Sequence, residues 1–526
     1  MTQIERRYPV GIQTFSEIIQ GGYVYVDKTD LMWQLQNASK FIFLSRPRRF
    51  GKSLLTSTFH SFFDGEKKLF EGLKVMQLEK EWIKYPVLHF DISRLKYKAV
   101  SLYAAELNRQ MQKYEEEFGS NPAEATPGMK LAGIIERAWK KTGRRVVVIV
   151  DEYDAPLLEH LHEDEQLKEV RAIMQEFYQQ LKAGEEHIRF CFITGITKFS
   201  QLSIFSTINN LTNISMVPKF AAICGITEEE LITTLKEDIE ILAEKCHCSA
   251  QQMHEQLKTM YDGYRFSEES PEIYNPFSLL KAFAMEKVGS YWFESGTPTF
   301  LIHQLERFQT DITTMDSIEA DAIAFDQPTD ALEDALPLLY QAGYLTIKDY
   351  DATTEMYTLA LPNKEVRTGL IRGLIPRYLG LNSRDAQGFA VRLWKALRVD
   401  DIEQALQEMK SYLASLPYVE GFKKKLEDPA TREGFYEYTF YLIFSMLNLY
   451  ARTQVKCITG RIDMVVKMPS TLYVFEFKVD GTAQEALEQI DTRGYAIPYQ
   501  AGERRIVKVG VSFSSSSRTI EDWMVK

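Results

Sequence analysis

Cysteine is scarce, five in 526 residues. No disulfide framework is expected, and the chain reads as one that works in a reducing, cytoplasmic interior. Cys246-His247-Cys248 suggests a metal cluster, but no second ligand pair stands nearby at zinc spacing, so it reads as structural. No apolar run approaches the roughly 18 residues of a membrane span. The N-terminus carries no apolar leader either, so no membrane partner is expected. Internal repeats and low-complexity tracts are absent. Positive charge is not in surplus: a net charge of −11 excludes global attraction to nucleic acid. Local basic stretches (46–52, 423–425 and 504–508) could still meet phosphates, although such runs are usually solvated faces. Histidine is missing from residue 382 onward, which excludes histidine-metal nuclease chemistry there.

What the chain has is length, more than one ordinary core can use. In residues 1–225, FIFLS (Phe41–Ser45), PVLHFDIS (Pro86–Ser93), VVVIVDE (Val146–Glu152) and IRFCFITG (Ile188–Gly195) are apolar runs ending in polar residues. Long helical patterns separate them, which predicts a doubly wound parallel sheet. Residues 226–380 turn mainly helical. There ITEEELITTLKEDIEIL opens with a threonine cap and an acidic first turn. ALPLLYQAGYLTIKDYDATTEMYTLALPNKEVRTGL predicts a helix, a two-stranded wing and a helix, which suits a winged-helix module or a small α/β lid equally. Residues 381–526 hold two helical stretches, the strands CITGRIDMVVK and TLYVFEFKV, a helix over Ala483–Asp491 and the strand IVKVGVSF. The fold class is therefore α/β multidomain.

The first chemical motif is SRPRRFGKSLL, Ser45 to Leu55. A phosphate loop needs inward-pointing backbone N–H groups, a lysine for the β/γ-phosphates and a hydroxyl for Mg²⁺. Gly51, Lys52 and Ser53 supply the second half of that pattern. Its first glycine is replaced by Arg46, and Pro47 removes one N–H donor. Alone, the tripeptide does not decide between an ATP site and a basic strand-to-helix turn. Context decides for ATP. VVVIVDE has the form of a Walker-B strand, with Asp151 placed to hold Mg²⁺ and Glu152 to polarise the attacking water. FITG ends in Thr194, where a γ-phosphate sensor would lie, with Lys198 shortly after. Hydrolysis can also need an arginine from a neighbouring subunit, so a homo-oligomer is compatible with the reading.

The segments YPVGIQTF, YVYVDKTDL, RPRRFGKSLL, VVVIVDEYDAPL, FITGITKFS, FSTINNLTNIS, CGITEEEL, YDGYRFS, YNPFSLL and YWFESGTPTFL resemble the AAA-ATPase-like domain of a large bacterial family. They cover most of the first 300 residues. In that family the loop characteristically reads RPRRFGKS, so the missing glycine is a family feature. The resemblance implies the usual P-loop NTPase roles for Lys52, Ser53, Asp151 and Glu152. It also points to Arg48, Arg49, Asp27 and Lys28 as site-lining residues.

The second motif is GRIDMVVKMPSTLYVFEFKVD, Gly460 to Asp480. Read as a hairpin centred on Pro469-Ser470, it pairs Asp463 with Glu476 and puts Lys478 on the same face. The opposite face carries Ile462, Met464, Val466, Tyr473, Phe475 and Phe477. Two opposed carboxylates repel unless a cation lies between them, and hard oxygen ligands favour Mg²⁺ or Mn²⁺. A surface Glu–Lys–Asp cluster is the bland alternative. The spacing matches the D…(D/E)-x-K core of PD-(D/E)XK nucleases, a short motif on its own. A preceding helix offers Glu433, or Glu437, to complete the metal site, and a following helix offers Gln489 with Tyr495 beyond it. The bacterial family named above commonly ends in such a restriction-endonuclease-like α/β domain, and this tail resembles it.

Together these readings predict an ATP-binding, ATP-hydrolysing protein coupled to a Mg²⁺-dependent nuclease whose substrate is nucleic acid, DNA first. Asp463, Glu476 and Lys478 would be its catalytic residues, alongside Glu152 at the ATP site. The alternative is a nucleotide-dependent switch whose nuclease-like domain binds nucleic acid or partners without cutting.

Overall fold

The computed structural model describes residues 6–95, 100–161, 164–198, 211–293, 301, 304–305, 307–308, 315, 317–328, 334–370, 383–415, 436, 439–440, 443–444, 450–457, 460–468, 470–500 and 504–526. The chain divides into two compact units. One is built from Met1–Thr310 and Met315–Val366, the other chiefly from Arg367–Lys526.

The first unit is organised by strands β1 (Phe41–Ser45), β2 (Val87–Asp91), β3 (Val146–Asp151), β4 (Ile188–Gly195) and β5 (Thr212–Asn213). All pairings among them are parallel, in the order β2-β3-β4-β1-β5. Every residue of β1 and β3 is buried, which is why these strands read as unbroken apolar runs rather than alternating ones. The helix Lys52–Phe63 follows β1, Ser101–Phe118 and Pro127–Thr142 lie between β2 and β3, and Asp164–Ala183 leads into β4. Because β4 lies between β1 and β3, the loop after β1 and the acidic end of β3 flank a shared strand. Their carboxyl ends are level: Ser45 pairs with Gly195, and Asp91 with Asp151. In open α/β sheets that edge is where ligands bind.

The same unit continues with β6 (Ile226–Thr227), which pairs antiparallel with β7 (Ile273–Tyr274). Thr227 and Glu230 form a capping box for the helix Glu228–Thr234, a second helix runs over Lys236–Lys245, and a third over Pro276–Ala284. The expected wing has three strands, β8 (Ile318–Ala320), β9 (Thr346–Asp351) and β10 (Met356–Ala360), ordered β8-β10-β9. β8 has three residues and an acidic sequence, too short for a period to show. The wing packs Ile347, Tyr357 and Leu359 on Ala320 and Phe325.

The second unit holds a five-stranded sheet of β11 (Tyr450–Cys457), β12 (Gly460–Lys467), β13 (Thr471–Val479), β14 (Arg505–Ser514) and β15 (Thr519–Val525), in chain order. Only β13 and β14 are parallel, joined through the helix Ala483–Thr492. CITGRIDMVVK, expected to be one strand, is split between β11 and β12, with Cys457 facing Gly460. Val465, Leu472 and Val474 pack on Leu487 and Ile490 of the helix. Ile462, placed by alternation on the other face, joins this cluster as well. The aromatic residues Phe475 and Phe477 pack on Phe440, so the sheet is covered on both sides.

Candidate functional sites

The loop after β1 shows why glycine is dispensable at its entrance. Arg46 does not have a positive φ; the left-handed positions are Arg49 (φ 67) and Gly51 (φ 92). Only the second of these is glycine, and it stands as the cap before Lys52. The carbonyls of Arg46 and Pro47 accept from Lys52 Nζ at 2.9 and 3.0 Å, so the loop curls around the ammonium. Lys52 is 5% exposed. Burial lowers its pKa, and Glu152, Asp151 and Asp154 oppose the shift. At the start of the helix the backbone N–H groups lack partners further back in the helix, which suits an anion.

The side chains around the entrance turn to other parts of the unit. Arg46 is buried, with Nη1 donating to the Ser45 and Ser215 carbonyls at 2.9 and 2.7 Å. Pro47 lies against Gly343, where an added Cβ would come within 2.6 Å of the proline. Arg49 Nη1 donates to the carbonyls of Tyr291 and Trp292 at 2.7 and 2.8 Å, and its guanidinium lies 4.1 Å from the centre of the Phe277 ring. Trp292 Nε1 donates to the Arg48 carbonyl at 3.4 Å. The loop is thus seated on the segment that contains Phe277 and Trp292.

Asp151 closes the other side. Its carboxyl is hydrogen-bonded by Ser53, accepts from Thr56 Oγ1 at 3.4 Å and takes the Glu152 N–H at 3.0 Å. Burial raises its pKa to about 6; Glu152 and Asp91 add to the rise, while Ser53 and Lys52 counter it. A buried carboxyl beside a serine hydroxyl and two further acids suits a divalent cation. Glu152 is half-buried in the left-handed region (φ 50). Thr194 is wholly buried, and its hydroxyl donates to the Leu44 carbonyl at 2.7 Å. Lys198 pairs with Asp326, and its N–H donates to Gln341 Oε1 at 2.7 Å. Asp27 accepts from Thr29 and from the Lys74 N–H, which makes it a local cap. Lys28 is buried and bonded to both oxygens of Glu230 at 2.6 and 2.5 Å.

A cavity open to solvent lies beside Gly51 and Leu54. Its walls are largely apolar, with Pro9, Val26 and Met32 from the N-terminal segment and Ile226 and Leu280 from residues beyond β5; Lys28 is part of the lining. No sequence motif points to this cavity, because its walls come from segments far apart in the chain. Asp154 was also missed. It accepts from the N–H groups of Ile196 and Thr197 and from the Thr197 hydroxyl, clamping the end of β4 to the end of β3.

In the second unit, the β12–β13 register ends with Met464 paired to Phe475, and Asp463, the next residue of β12, lies near enough to Glu476 to act on its charge. Asp463 Oδ2 accepts the Phe477 N–H at 2.8 Å. Glu476 is 1% exposed; Gln489 Nε2 donates to its Oε1, and Lys478 Nζ lies 3.6 Å from the same oxygen. Its Oε2 is buried with no hydrogen-bond partner among the described residues. Burial and then Asp463 push its pKa well above the usual carboxylate range, against Lys478. Gln489 reaches Glu476 because Gly510, beside Glu476 in register, has no side chain: a Cβ there would come 2.4 Å from the Ala483 carbonyl. Tyr495 abuts Gly460 in the same way, 2.9 Å from where a Cβ would stand. Hard oxygens, one of them unpartnered, suit a Mg²⁺ or Mn²⁺ ion. Among the described residues no group of three or more acidic, histidine or cysteine side chains is set to hold a metal. Glu433 and Glu437 lie outside the described residues. Among the described residues no helix is long and apolar enough to cross a membrane.

Comparison with known proteins places the two sites in two family models. Residues 9–205 match the one described as predicted AAA-ATPase, and residues 431–523 match the PD-(D/E)XK nuclease superfamily. Over its whole length the chain is similar to a protein of Azotobacter chroococcum mcd 1 described as "Uncharacterized protein in vnfD 5'region". The two are 33% identical over 535 residues, covering 99% of each chain.

Proposed function

Since the chain belongs to the bacterial family of AAA-ATPase-like proteins with a C-terminal PD-(D/E)XK nuclease-like domain, we propose that it binds and hydrolyses ATP and cleaves phosphodiester bonds in DNA. ATP would sit at the loop of residues 46–53, with Lys52 on the β/γ-phosphates and the base in the apolar cavity beside Gly51. Ser53 and Asp151 would hold its Mg²⁺, Glu152 would accept a proton from the attacking water, and Thr194 would hold the end of β4 in place for sensing. Arg48 and Arg49 would act at the rim, and residues 226–380 would carry the nucleotide state to the nuclease domain, 381–526. A homo-oligomer, with one copy lending an arginine to the next, fits this scheme, as does a cytoplasmic setting.

The observation that supports the nuclease reading best is the Oε2 of Glu476, buried near Asp463 without a partner among the described residues. A Mg²⁺ or Mn²⁺ ion held by these two carboxylates, with Glu433 or Glu437, would polarise the scissile phosphate and lower the pKa of a bound water. The chain's own groups do the rest. The Phe477 N–H fixes Asp463, Gln489 fixes Glu476, and Lys478 orients the attacking water and offsets charge developing on phosphate.

The test is cleavage of single- and double-stranded DNA and RNA with Mg²⁺ or Mn²⁺, with and without ATP. Wild type, Lys52→Ala and Glu476→Ala are compared. Metal-dependent cutting by wild type and none by Glu476→Ala is expected. If both proteins bind DNA and neither cuts any substrate, the chain is a nucleotide-dependent switch that binds without cleaving.

A further inference from the structure

Two other buried lysines of the first unit each face a carboxylate: Lys28 pairs with Glu230, and Lys198 with Asp326. Arg46 does not. It is 1% exposed, and its guanidinium is held by neutral groups alone. Nη1 donates to the Ser45 and Ser215 carbonyls at 2.9 and 2.7 Å. Nη2 donates to those of Phe220 and Ala221, each at 3.4 Å, and the Phe266 ring centre lies 4.1 Å away. Nε has no partner. Among the described residues no carboxylate forms a salt bridge with it. Burying a cation without a counter-charge is costly, and removing such a charge is often neutral or stabilising.

The backbone does not explain its retention. With φ outside the left-handed region, position 46 accepts any side chain, and a glycine would make the same carbonyl bond to Lys52. Lys52, the second buried cation of this loop, also donates to carbonyls. The loop thus concentrates two positive charges whose hydrogen bonds all end on neutral oxygens.

We propose that Arg46 is an electrostatic positioning residue for the nucleotide: a fixed buried cation whose counter-charge is the polyphosphate gripped by its own loop. The inference rests on the nucleotide reading given above. Burial lowers the pKa of Arg46 to about 10, so it stays charged at neutral pH. It need not touch phosphate. In a partly desolvated site the attraction extends beyond contact distance and scales with the ligand's charge, so it favours ATP over ADP and ADP over AMP.

The experiment is calorimetric titration of the full chain with ATP, ADP and AMP in Mg²⁺ buffer, for wild type, Arg46→Gln and Arg46→Lys. Gln keeps hydrogen-bond donors and loses the charge, while Lys keeps the charge. Arg46→Gln is expected to lose on the order of tenfold in ATP affinity, less for ADP and least for AMP, and Arg46→Lys to keep the wild-type gradation. An equal loss for all three nucleotides, or no loss, overturns the proposal. So does failure of Arg46→Gln to fold, since the neutral side chain is expected to leave the empty protein no less stable than the lysine does. A wild type that binds no nucleotide instead overturns the ATP reading itself, which separates the two failures.

Discussion

The two sites use the same architecture with opposite charge. Each lies on a sheet beside a helix with acidic residues at hand, the first at the strand ends and the second within β12 and β13. At the first, the buried cations Lys52 and Arg46 are hydrogen-bonded to carbonyls, so positive charge is in local surplus within the loop. At the second, Asp463 and Glu476 lie close together with one half-buried lysine, and one oxygen of Glu476 is left without a partner among the described residues. On the proposed reading, one site takes an anion and the other a cation. A sheet has no fixed preference of its own. The balance of the charged side chains buried at a site sets the sign of what it would bind.

Substitutions can break either half of that contrast while sparing the other. The largest effect is expected from Asp463→Ala or Glu476→Ala, on the order of a thousandfold in cleavage rate with ATP affinity unchanged, measured by gel assay and calorimetry. Lys52→Ala should cost on the order of a hundredfold in ATP affinity, because a charge-assisted contact is lost, and leave metal binding in the second unit intact. Gly510→Val should destabilise the second unit by about 2 kcal/mol by forcing the helix Ala483–Thr492 off the sheet, read from chemical denaturation. Gln489→Ala, which frees Glu476 without removing it, should slow cleavage by about tenfold. If Gln489→Ala matched Glu476→Ala in size, Gln489 would have to act on substrate rather than through Glu476.

Much of this was legible in the sequence where chemistry and period coincide. Four strands of the first sheet stood out as apolar runs, and β1 and β3 are buried at every residue because both faces of the sheet are covered there. Asp463, Glu476 and Lys478 stood out because an antiparallel hairpin fixes which residues share a face. The strands β5 and β8 did not, since two or three residues carry no period. Nor did β11 and β15, which flank the readable strands of the second sheet. The phosphate loop was recognised from Gly51-Lys52-Ser53 and its acidic partner strand, yet the use of Arg46 was not. Which way a side chain turns depends on carbonyls some 170 residues away, at Ser215 to Ala221. The reach of Gln489 to Glu476 was suggested by motif, whereas its cause, the missing side chain at Gly510, appears only in the packing.

The contrast between an anion site and a cation site is tested most directly by titrating Mn²⁺ and ATP separately into the full chain, with Mn²⁺ followed by electron paramagnetic resonance. The structure predicts a Mn²⁺ site, measured without nucleotide, that is lost in Asp463→Asn and Glu476→Gln and kept in Lys52→Ala. It predicts the reverse pattern for ATP. Mn²⁺ binding that is indifferent to both carboxylate substitutions would contradict the account.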